Sequence, residues 1–77
     1  MTPDLYRRID PDHFIAQLFR SKSVQRGAVI RRSVRDVERI LGRDAFRAEL
    51  RRRGFRAVEN GGQFVIFCNA EPIRIVD

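Results

Sequence analysis

Apolar residues recur at helical spacing in three stretches of the chain and crowd into strand-like runs elsewhere. Phe14, Ile15, Leu18 and Phe19 form the first stripe. Asp10-Pro11-Asp12 precedes it. Asp10 suits a cap, Pro11 the first helical position, and Asp12 the positive end of the helix dipole. A first helix is therefore predicted, ending near Arg20. Val34, Val37, Ile40 and Leu41 form the second stripe. Ser33 opens it, with Asp36 three residues on, the spacing of a hydroxyl cap answered by a carboxylate. Gly42 is expected to close that helix, because glycine enters the left-handed region freely. Ala45, Phe46, Ala48 and Leu50 supply the buried side of a third helix, which Asp44 is expected to cap and Gly54 to end.

The remaining segments read as loop and strand. Residues 20–27 show no periodicity and are expected to form a surface loop. Residues 28–32 are short and β-branched and are expected to form a strand. Residues 55–59 and 63–68 are two β-prone runs flanking Asn60-Gly61-Gly62, a strong hairpin signal. In the second run Phe64, Ile66 and Cys68 point one way, Val65 and Phe67 the other. That predicts a central strand covered on both faces. Residues 73–76 are expected to add a third, edge strand. Its open edge makes a homodimer one expected state. The predicted fold class is α+β, three helices with a C-terminal antiparallel β-hairpin or three-stranded meander. Residues 1–9 read as a flexible arm and 10–77 as one small basic domain.

Composition narrows the chemistry. Seventy-seven residues make one small domain. One Cys excludes an internal disulfide, and one Cys with one His excludes a multi-ligand His/Cys metal site within the chain. No apolar run approaches the ~20 residues of a membrane span. The first residues lack the apolar stretch of a signal peptide. A soluble cytoplasmic protein with no cofactor and no membrane partner is expected.

The formal charge of +6 is uneven. Residues 1–19 carry a net −1, residues 20–56 a net +9 and residues 57–77 a net −2. A basic middle between mildly acidic ends is the pattern that attracts phosphate backbones. Arg43, Arg47 and Arg51 lie at i, i+4 and i+8 and share one face of the third helix. Arg35 and Arg39 make a second patch on the preceding helix, and Arg52 adds a backbone contact. The competing reading is a solvated face in which Arg35 pairs with Glu38 or Arg39 with Asp36. His13 lies beside Asp10 and Asp12 without visible catalytic partners. Cys68 sits in an apolar run and reads as a small buried residue. Gly61-Gly62 follows a strand but opens no helix, so no phosphate loop is present. No enzyme is expected.

The order of helix, strand, helix, tight turn, helix and hairpin resembles a winged helix-turn-helix domain. Residues 28–32 match its first strand, 33–41 its supporting helix, 43–53 its recognition helix and 55–68 its wing. The resemblance implies DNA binding, as in a transcriptional regulator, with the second helix of the pair in the major groove. The third helix is about a turn shorter than most recognition helices, and the hairpin tip at residues 59–63 has no basic residue. A second resemblance is to the HicA-type mRNA interferase fold, itself related in shape to double-stranded RNA-binding domains. Residues 45–76 carry it, from a helix ending in Arg51-Arg52-Arg53-Gly54-Phe55 through the following strands. That family's catalytic histidine is missing from Gly61-Gly62-Gln63, so this resemblance implies RNA binding without nuclease chemistry. The expectation is nucleic-acid binding, DNA favoured over RNA, through Arg35, Arg39, Arg43, Arg47, Arg51 and Arg52. An RNA-binding module and a small protein-interaction adaptor are the alternatives.

Overall fold

A computed structural model describes residues 10–77. The expected arm at residues 1–9 lies outside them. The elements are α1 (Pro11–Phe19), α2 (Lys22–Gln25), β1 (Val29–Ser33), α3 (Val34–Ile40), α4 (Arg43–Arg53), β2 (Arg56–Asn60) and β3 (Gln63–Phe67). The fold class is α+β, with four helices among the described residues and one antiparallel sheet of order β1-β3-β2.

Local chemistry accounts for most boundaries. Pro11 stands in the first turn of α1 as expected, but the Asp10 side chain makes no capping bond. The expected loop at 20–27 contains α2, a single turn. The Ser21 hydroxyl accepts the Val24 N–H at 3.3 Å, and Val24 is buried. One turn is too short to show a period, so its sequence carries no helical signal. At the next junction Ser33 ends β1 and caps α3, accepting the Asp36 N–H at 3.2 Å.

Gly42 does more than close a helix. Leu41 is the C-cap of α3, and Gly42, at φ +90° and ψ 147°, is the N-cap of α4. The helix therefore starts at Arg43, and Asp44 lies in its first turn rather than capping it. Gly54, at φ +76°, ends α4 as expected. There the Phe55 N–H bonds to the Leu50 carbonyl and the Gly54 N–H to the Arg51 carbonyl, at 2.9 and 3.1 Å, a Schellman closure.

The hairpin forms where expected. Asn60 pairs with Gln63 across Gly61 and Gly62, both at positive φ, as a type I′ turn requires. The third strand of the sheet is β1, which pairs with β3 from Val29↔Phe67 to Ser33↔Gln63. The expected edge strand at 73–76 does not form. With β1 on one side of β3 and β2 on the other, both edges of β3 are taken. The Asn69 amide donates to the Gly27 carbonyl at 2.8 Å, and the chain continues beyond it without helix or strand.

The core lies between the helices and one face of the sheet. Leu18, Phe19, Val24, Val37, Phe46 and Leu50 come from the helices, and Ile30, Phe64, Ile66 and Cys68 from the strands and their continuation. The Phe46 and Phe64 rings lie 4.6 Å apart between centroids, joining α4 to β3. The opposite face is not covered as expected. Val65 and Phe67 are only half-buried there, and Val29 and Val58 beside them are exposed. The helices account for a single layer, and no described element lies on the other side.

Candidate nucleic-acid interface

The buried side of α4 sets its outward side. Phe46 and Leu50 anchor the helix in the core. At helical spacing Arg43 borders that buried side while Arg47 and Arg51 turn progressively off it, and all three are exposed. Their surroundings differ.

Arg43 is engaged. Its Nε donates to Glu38 of α3 at 2.7 Å and its terminal nitrogen to Glu59 of β2 at 3.0 Å. Its guanidinium lies 5.2 Å from the centre of the Phe64 ring. One side chain thus ties α3, α4 and the hairpin together. The hydrogen bonds to Glu38 and then Glu59 raise its already high pKa.

Arg47 and Arg51 form no ion pair or hydrogen bond with the described residues. With Leu50, Phe55, Arg56 and Ala57 they line a shallow groove between α4 and β2. The floor is apolar, and Arg47 and Arg51 stand along its α4 wall. Arg56 is not among the arginines that helical spacing singles out. It opens a strand rather than continuing a helix, and only the turn at Gly54 brings it back alongside the last turn of α4. The adjoining depression is lined by Arg43, Arg47 and Glu59 around Phe46 and Phe64.

The other expected contacts divide in the same way. Arg52 pairs with Glu49 in a short bidentate contact. Arg53 reaches the same carboxylate at 2.7 Å and lies 4.4 Å from the centre of the Phe19 ring. Glu49 is pulled below the usual glutamate range, first by the Arg52 hydrogen bond, against an opposing effect of burial. Arg39 pairs with Asp36 at 3.2 Å. Arg35 makes no pair among the described residues, because Glu38, its expected partner, turns to Arg43. The single acid near the hairpin tip, Glu59, is likewise held by Arg43 and is drawn back from the tip.

His13 is exposed in the first turn of α1. Cys68 is buried, and burial pushes its thiol pKa up, away from the reactive thiolate. Among the described residues no cluster of His, Cys, Asp and Glu has the makings of a metal site, and no helix is long and apolar enough to cross a membrane. No protein-family model, curated protein or solved structure matches the chain.

Proposed function

We propose that this domain binds nucleic acid, duplex DNA in preference to RNA, with α4 presented to the duplex and the α4–β2 groove receiving a phosphate backbone. The observation that carries the reading is the sorting of the arginines. Arg43, Arg52 and Arg53 are held by carboxylates of the same chain, whereas Arg47 and Arg51 share one groove without one among the described residues. A guanidinium with no internal partner keeps its full set of donors for a phosphate.

The element order supports a winged-helix arrangement, with α3 crossing the backbone, α4 as the reading helix and β2–β3 as the wing. The pairing of β1 with β3 is consistent with it. Arg47 and Arg51 are the main contacts in this reading. Arg35, Arg39 and Arg52 flank the backbone, and Arg43 locks the hairpin against the helices. A cytoplasmic regulator of transcription is the role such a module would serve.

The test is an anisotropy titration of labelled duplex DNA and matching duplex RNA at two salt concentrations. Binding is expected to be tighter to DNA and to weaken as salt rises. Arg47→Ala with Arg51→Ala should weaken binding and lower the salt slope by about 0.9 for each phosphate that is no longer neutralised. Unchanged affinity and slope would remove α4 from the interface. Tighter binding to RNA would favour recognition of A-form shape. No salt-dependent binding to either would leave a protein-interaction adaptor.

A further inference from the structure

Among the described residues two apolar surfaces stand exposed, one flanked by arginines and the other carrying a net negative charge. The first is the sheet face turned away from the helices. Strand register sets Val29, Phe67 and Arg56 in one row and Arg31, Val65 and Val58 in the next. The apolar members form a diagonal stripe across all three strands, with one arginine at either flank. Val29 and Val58 are 48% and 43% exposed. The third row is Ser33, Gln63 and Asn60, so the face bears two arginines and no carboxylate. The side chains of Arg31 and Arg56 have no partner among the described residues.

The second surface is the segment after β3. Ile75 and Val76 are 90% and 96% exposed, and Ile73 is exposed beside them. The same segment carries Glu71 and Asp77 against Arg74, a net −1 opposite a sheet face that bears two arginines. It does not reach its own sheet. The Asn69 side chain is tied to the Gly27 carbonyl and accepts the Glu71 N–H at 3.0 Å, and Pro72 keeps Glu71 extended.

We infer that residues 70–77 of one copy lie across the open sheet face of a second copy, and reciprocally, so that the protein forms a segment-exchanged dimer. Ile73 and Ile75 cover the apolar stripe, and Glu71 and Asp77 approach Arg31 and Arg56. Burial of both apolar surfaces supplies the driving force. Reciprocal exchange gives each copy the same two contacts, as a two-fold interface requires. Direct stacking of the two bare sheets is disfavoured, because it would bring four arginines together with no carboxylate to pair them. The dimer does not depend on the nucleic-acid reading.

Analytical ultracentrifugation of the full chain over a concentration series tests it. A monomer–dimer equilibrium is expected below about 1 mM. Ile73→Ser with Ile75→Ser should raise the dissociation constant at least about tenfold. Val58→Asp, at an exposed position of the stripe, should do the same. Circular dichroism of each variant should match the unaltered chain, since neither change touches the core. A chain that stays monomeric throughout the series overturns the inference, whether its own segment or another ligand covers the face. A dimer indifferent to the isoleucine changes overturns it equally.

Discussion

Arg51, Arg52 and Arg53 are consecutive and meet three different environments. Arg51 faces the groove without an ion pair or hydrogen bond among the described residues. Arg52 lies over the surface and pairs with Glu49, and Arg53 is half-buried between Glu49 and the Phe19 ring. The helical step of about 100° per residue separates them. Glu49 is the residue that makes the difference, since its side chain is only 12% exposed and serves two arginines. Its folded-state pKa is depressed, so it contributes stability that is present above the unfolded value and lost as pH falls through the folded value. Glu49→Gln should cost about 1 kcal/mol near neutral pH. Between about pH 5 and pH 3 the melting temperature of the variant should fall less steeply than that of the parent chain. Parallel melting curves across that range would show that the Glu49 pairs add nothing. The triplet is legible in the sequence as charge, but its division into contact, surface pair and packing group is not. That division depends on Phe19, more than thirty positions earlier in the chain.

At the scale of elements, the boundaries that rest on local chemistry are readable and those that rest on partner choice are not. The Ser33 cap, the Gly54 closure and the Gly61-Gly62 turn each follow from a few neighbouring residues. The third strand does not. Residues 29–33 and 73–76 are both β-prone, and it is the first that buries an isoleucine, Ile30, beside Ile66 in the core. Gly42 is an intermediate case. Its need for positive φ is readable, but its position as the N-cap of α4 is not. A Cβ added there meets nothing within 4 Å, yet φ +90° strains any L-residue. Gly42→Ala should therefore cost about 1–3 kcal/mol through the backbone alone, read as a lower denaturation midpoint. An unchanged midpoint would mean that the α3–α4 junction relaxes into another geometry at no cost.

Across the whole molecule, Arg43 and the Arg47–Arg51 pair look equivalent by spacing and separate by function in the proposed reading. Arg43→Ala removes contacts to α3, β2 and the Phe64 ring, so it should lower the melting temperature. Arg47→Ala with Arg51→Ala breaks no ion pair or hydrogen bond with the described residues. It should leave the melting temperature nearly unchanged while weakening nucleic-acid binding. Thermal melts beside the same titrations check this separation, and equal melting losses in both variants would collapse it. By itself the sequence determined the α+β class, the faces of the longer helices, the hairpin and a strongly basic middle, because period, caps and turn residues act over a few positions. The tertiary structure decided which strand completes the sheet, that no described element covers its other face, and which arginines are neutralised. Those outcomes depend on residues far apart in the chain: Glu38 and Glu59 converge on Arg43, and the turn at Gly54 carries β2 back beside Arg47 and Arg51. Charge is a property of the chain, but the availability of a charge is set by what folds against it.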